Sequence, residues 1–160
     1  MEFNLADLFE AAVDAYPERE YLVANGERRT YGEMEVRANQ LAHHLSAQGV
    51  GPGDHVGIYA YNSVEWVETA WAVFKLRAIW ININYRYVED ELRYLLKNAD
   101  LKALVEHDRL TQEVNGGAAL HGRVTRGHDR HAVVATLRGS DGVGDHDVGQ
   151  VLEELVLDRR

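Results

Sequence analysis

Cysteine is absent from the 160 residues, which excludes disulfides, thiolate metal sites and a cysteine nucleophile and agrees with a reducing compartment. Positive charge is scarce. Seventeen Lys and Arg stand against 26 Asp and Glu, a net charge of -9, so a phosphate backbone is disfavoured and no nucleic acid partner is expected. No hydrophobic run is long enough to span a bilayer: the most apolar stretch, AWAVFKLRAIWINI, is broken by Lys75 and Arg77 and falls short of roughly 20 residues. The amino terminus carries Glu2, Asp7 and Glu10 where a signal peptide needs a basic start and an apolar core. A cytoplasmic protein without a transmembrane segment is expected.

What is present suits one ordinary domain, with 46% hydrophobic residues and enough length for a real core. Its texture changes abruptly along the chain. All fourteen aromatic residues lie at or before Tyr94, the last lysine is Lys102 and the last isoleucine Ile83, whereas eight of the fourteen glycines and four of the eight histidines fall from Gly116 onward. Little large apolar surface is left there to offset ordering entropy. Two segments are therefore expected: residues 1–115 as the folded part and 116–160 as a weakly ordered tail, with GQVLEELVLDRR able to form a short helix.

Within the first segment the element signals are clear. Asn4 caps a helix with Leu5, Leu8, Phe9, Ala12 and Ala15 at helical spacing, followed by Pro17. Asn25-Gly26 between two short strand-like runs marks a hairpin. Thr30 and Glu33 form a capping box before a helix whose inner face is Met34, Ala38, Leu41, Ala42 and Leu45, and Gly49 ends it. After GPGD, HVGIYAY reads as a buried strand. Asn62 with Glu65 suggests a cap for a helix that buries Trp66, Val67, Ala70 and Phe74 or a nearby set. AIWINI, the amphipathic segment YVEDELRYLLKNAD and LKALVE complete a strand-helix-strand-helix-strand series. That series predicts an α/β fold: a partial doubly wound parallel sheet, preceded by a small helix and hairpin.

Chemistry is scarcer than architecture. GVGPGD leads from a helix into a strand, the reverse of the order that points amides at phosphate, and reads as a turn. Ser140 in GSDG is not a nucleophile elbow. His121, His128, His131 and His146 match no zinc spacing, and Asp141, Asp145 and Asp147 lack the pattern of a calcium loop. His43 and His44 are adjacent on a helix and do not share a face. Trp66, Trp71 and Trp80 have apolar neighbours and read as packing. From the residues alone no catalytic, cofactor-binding or metal residue is assigned, and the alternative of a non-catalytic α/β interaction or small-ligand-binding module stays open.

The order of the pieces nevertheless resembles the amino-terminal region of the adenylate-forming (AMP-binding) acyl-CoA synthetases over about residues 4–106. The matching positions are Thr30, Tyr31 and Glu33; Ala38, Asn39, Leu41 and Ala42; Gly49, Val50, Gly53, Asp54 and Val56; Asn62, Glu65 and Lys75; and Asn82, Asn84, Tyr85 and Arg86. NYRYVEDELRYLL leans toward the bacterial fatty-acid and steroid side-chain branch. Arg77 stands where that family often has glycine, and Trp80 where proline is common.

The resemblance implies a two-step ligase that uses ATP, magnesium and coenzyme A: a carboxylate becomes an acyl-adenylate, then an acyl-CoA. It also implies a Ser/Thr/Gly-rich phosphate loop ending in Pro-Lys-Gly, for which this sequence offers only TRGHDRHAV from Thr125. No catalytic residue carries over, so this chain alone is expected to be inactive and to hold no cofactor. Arg86 and Arg93 could meet coenzyme A phosphates by charge in an intact enzyme, although surface pairing or helix-end neutralisation explains both. Acyl substrate and coenzyme A are partners only of that intact enzyme, and the oligomeric state is left open. A reading frame or an evolutionary constraint lost near Asn115 would account for the change in texture; the alternative is a deliberately short protein whose tail orders on a partner.

Overall fold

A computed structural model describes residues 4–87, 89–107 and 133–137. The chain divides into two compact units, Met1–Asp54 with Asn62–Trp80, and His55–Tyr61 with Ile81–Arg160.

The first unit opens with α1 (Leu5–Ala15), started by a capping box in which Asn4 Oδ1 accepts from the Ala6 amide and Asp7 accepts from the Asn4 amide. Its inward face differs from the sequence expectation. Ala6 and Phe9 are buried, while Leu5 and Leu8 are 53% and 52% exposed. Phe9 decides the orientation, because its ring stacks on Trp71 at 4.3 Å and meets Tyr21 edge-on at 5.2 Å. Strands β1 (Glu20–Ala24) and β2 (Glu27–Thr30) pair antiparallel with Ala24 opposite Glu27. Asn25 and Gly26 both have positive φ, 51° and 81°, as a tight mirror-image turn requires.

Helix α2 (Tyr31–Ala47) begins at the expected capping box. Thr30 Oγ1 accepts from the Glu33 amide at 3.2 Å and Glu33 Oε2 from the Thr30 amide at 2.8 Å. It ends in a Schellman motif: Gly49 at φ 91° donates to the Ser46 carbonyl and Val50 to the Leu45 carbonyl, and Val50 and Leu45 are both buried. Helix α3 (Val64–Lys75) is capped one residue later than the sequence suggests. Ser63 Oγ, not Asn62, accepts from the Trp66 amide, while the Asn62 carbonyl accepts from Asn25 Nδ2. Its buried residues are Val64, Glu65, Glu68, Thr69, Ala70, Ala72 and Val73, with Trp66, Val67 and Phe74 only half-buried.

Apart from Ile79 and Trp80, the sheet belongs to the second unit. Strands β3 (His55–Tyr59), β4 (Ile79–Ile83), β5 (Leu101–His107) and β6 (Val133–Leu137) lie in the order β4-β3-β5-β6. The β3/β5 and β5/β6 pairs are parallel, so the expected parallel α/β sheet is present. Helix α4 (Glu89–Asn98) brings Leu92, Leu95 and Leu96 to a core with Tyr59, Ile83 and Leu104. Gly57 is required inside β3, since a Cβ there would come within 2.8 Å of Leu101 Cδ1 and 3.0 Å of Ile83 Cδ1. Strand β6 falls inside the segment that composition marks as weakly packed, and its five residues pair in register with Ala103 to His107. The possible helix at GQVLEELVLDRR lies outside the described residues.

Candidate functional site

Strand β3 sits between β4 and β5, so the chain steps to one side of β3 and then crosses to the other. Open α/β sheets place ligands at such a reversal, beyond the carboxyl ends of the strands. Tyr59 and Glu106 are register partners at those ends, and both are buried. The Tyr59 hydroxyl donates to the Tyr85 carbonyl at 3.1 Å. Burial above all, then the neighbouring Tyr61 and Glu106, push that hydroxyl up to about 12. Tyr59 thus remains a donor at neutral pH.

The signature NYR forms a pinned turn at this place. Asn84 Oδ1 accepts from the Arg86 amide at 3.0 Å and the Asn84 carbonyl from the Tyr87 amide at 3.0 Å, an arrangement typical of asparagine in turns. Tyr61 and Tyr85 pack with ring centroids 4.7 Å apart, and the Arg86 guanidinium lies 5.5 Å from the centre of the Tyr85 ring. Arg86 is exposed. The turn therefore presents a cation, suited by charge to a phosphate or carboxylate.

Other candidate positions are structural where they are described. Lys75 is held by Glu10 and by Glu35, the latter at 2.8 Å. Asn39 Nδ2 donates to Glu35 Oε1 at 2.8 Å. Asp54 Oδ2 accepts from the Gly51 amide at 2.8 Å, Gly53 donates to the Arg77 carbonyl and Ile79 to the Asp54 carbonyl, so GVGPGD is a turn tied to the end of α3. His43 and His44 are exposed. Trp66 and Trp80 meet edge-on at 4.9 Å, and Trp71 Nε1 donates to the Tyr21 hydroxyl at 2.7 Å, which agrees with packing. The Arg93 side chain, Ser140, His121, His128, His131, His146, Asp141, Asp145 and Asp147 lie outside the described residues. Sequence reasoning passed over Tyr59, Tyr61 and Glu106; the polar end of the apolar run ALVE was the available signal.

Among the described residues no group of three or more His, Cys, Asp or Glu side chains could hold a metal ion. Nor does any helix of the described residues have the length and apolarity to cross a membrane.

An open parallel α/β sheet with a preceding helix and hairpin is the amino-terminal subdomain architecture of the adenylate-forming enzymes. The sequence matches the family of AMP-binding enzymes over residues 9–148, and the chain belongs to that family. It is 54% identical over 114 residues to the 3-oxocholest-4-en-26-oate–CoA ligase of Rhodococcus rhodochrous, covering 71% of this chain and 20% of that protein. It is 52% identical over 106 residues to the medium/long-chain-fatty-acid–CoA/3-oxocholest-4-en-26-oate–CoA ligase of Mycobacterium marinum, covering 66% of this chain and 19% of that protein. A crystallised protein of Rhodopseudomonas palustris, assigned as a long-chain-fatty-acid CoA ligase, superposes with a TM-score of 0.69 at 27% identity, covering 91% of this chain and 35% of that one. The chain thus spans about a fifth of the length of the curated relatives it matches.

Proposed function

We propose that these residues are the amino-terminal part of an acyl-CoA synthetase that acts in the cytoplasm on fatty or steroid side-chain carboxylates, and that this chain alone does not catalyse the ligation. The intact family supplies ATP, magnesium and coenzyme A chemistry. The share of the relatives that the chain covers, about a fifth, carries the reading. Phosphoryl chemistry depends on preorganised donors and metal around the reacting phosphate, and one exposed arginine at the NYR turn does not supply them.

Pyrophosphate release from ATP with a fatty or steroid acid, with hydroxamate trapping of acyl-adenylate, tests this beside one of the full-length relatives. No turnover above background is expected; turnover comparable to the relative overturns it. The boundary near residue 115 belongs to the same proposal. The identities to the two ligases run over 114 and 106 residues, whereas the family match continues to 148. Translation of the adjacent frames beyond Asn115 decides whether the frame changes there: a phosphate-loop motif recovered in another frame supports it, and its absence from every frame overturns it.

A further inference from the structure

Ser63 caps α3, so Glu65 has no capping duty. Yet Glu65 is only 9% exposed, and Glu68, one turn on, 8%. Residues three apart share a helix face, which sets two carboxylates side by side in a buried stretch. Among the described residues it is Glu68 that takes a guanidinium: Arg37 Nε of α2 donates to Glu68 Oε2 at 2.6 Å. Arg37 itself keeps a path to water, with its side chain 39% exposed. Arg29 of β2 attracts Glu68 more weakly and is already held by Glu27.

We propose that Glu68 is a proton-operated latch between α2 and α3: ionised it holds Arg37, protonated it releases the guanidinium to water, with the neighbouring Glu65 carboxylate one of the charges that favour release. A latch needs a strong closed state and an open state of similar stability. The closed state is a charge-assisted bond between side chains 31 positions apart in the chain. The open state is accessible because burial, the largest influence on Glu68, disfavours its charge. Arg37 opposes burial through its hydrogen bond and charge, the Glu65 charge reinforces it, Arg29 opposes it, and the balance raises Glu68 above its ordinary 4.5.

The sign follows from linkage. A raised folded-state value means that the stability contributed by protonated Glu68 is complete below 4.5 and is lost as pH rises through the higher folded value. Acidification through that value therefore opens the latch without a loss of folding free energy from this group. Glu65 lies in the first turn of α3, where the helix amino terminus favours negative charge, and Glu68 lies beyond it.

Nuclear magnetic resonance of the labelled full chain tests the latch by following the Arg37 Nε–H signal and the Glu68 carboxyl carbon from neutral pH downward. The expected result is an Arg37 Nε–H chemical shift that moves from its carboxylate-bonded position to that of a solvated guanidinium with the same midpoint as Glu68 protonation, above 4.5. Glu65→Gln should move that midpoint down, and Glu68→Gln should make the Arg37 signal independent of pH. An Arg37 signal indifferent to pH in the wild type, or a midpoint that Glu65→Gln leaves in place, overturns the proposal. Should Glu68→Gln fail to fold, the wild type and Glu65→Gln decide it by themselves.

Discussion

Replacing Lys75 by methionine isolates a buried charge whose surroundings differ sharply between its two partners. The Lys75 side chain is 7% exposed, that of Glu35 20% and that of Glu10 49%. Methionine keeps the apolar stem and removes the ammonium. Among the described residues Glu35 then retains only the Asn39 bond to Oε1, its buried Oε2 having no hydrogen-bond partner there. Breaking a buried pair by removing one partner costs about 3–5 kcal/mol; the residual exposure of Glu35 lowers the expectation to about 2–4 kcal/mol. Glu10→Gln, which removes the exposed partner, should cost under about 1 kcal/mol. Combining Lys75→Met with Glu35→Gln should recover a large part of the loss, because the uncompensated charge is gone. Urea unfolding followed by circular dichroism gives each value by linear extrapolation. A Lys75→Met loss no larger than that of Glu10→Gln, or a double variant less stable than Lys75→Met alone, would refute the reasoning.

Thr30→Ala removes the acceptor for the Glu33 amide and should cost about 1 kcal/mol in the same assay; an unchanged unfolding curve would deny Thr30 its capping role. Tyr59→Phe should cost about 1 kcal/mol at neutral pH, by leaving the Tyr85 carbonyl without its donor. The raised Tyr59 hydroxyl contributes stability that is complete below 10 and is lost as pH rises through about 12, so wild-type stability should fall across that window more steeply than that of Tyr59→Phe, and parallel alkaline curves would count against it. Trp80→Phe removes an indole N–H that is buried without a partner among the described residues, and should cost less than Trp71→Phe, which breaks the bond to Tyr21; thermal unfolding giving the reverse order would show that Trp80 Nε1 is satisfied.

Local chemistry was legible in the sequence wherever one residue type alone solves a backbone problem. Thr30 with Glu33, Asn25 with Gly26, and Gly49 before Val50 each formed the cap or turn they announced. Helix faces were less legible. Of the set expected on α1, Leu5, Leu8, Phe9, Ala12 and Ala15, Phe9 does turn inward, and its contact with Trp71 and Tyr21 brings Ala6 in with it and leaves Leu5 and Leu8 exposed. On α3 a period of 3.6 residues loses meaning, because the helix is buried on most sides and even Glu65 and Glu68 face inward. The switch-point residues Tyr59 and Glu106 were hidden for a different reason: strand order, which makes them neighbours, is not written in the spacing of either segment.

Arg77 and Trp80, the two positions that depart from the family pattern, have separate physical explanations. Arg77 has φ 58°, a left-handed conformation that a side chain makes unfavourable by roughly 1–2 kcal/mol and that glycine adopts freely. Glycine is thus the residue the backbone asks for at the exit of α3, where the Arg77 amide donates to the Phe74 carbonyl and its carbonyl accepts from Gly53. The arginine brings compensation of its own kind: Nη1 and Nη2 both reach the Asp7 carboxylate, at 3.3 Å and 2.5 Å. That contact lowers Asp7 below its ordinary value, with the Arg77 hydrogen bond as the first cause, and it ties the exit of α3 to the residue that closes the capping box of α1. Trp80 follows three residues on, packed edge-on against Trp66 and Phe74, where a ring fills space that a smaller residue would leave to others. At both positions the exit of α3 is anchored within its unit through side chains: Arg77 by its pair with Asp7, Trp80 by its ring contacts.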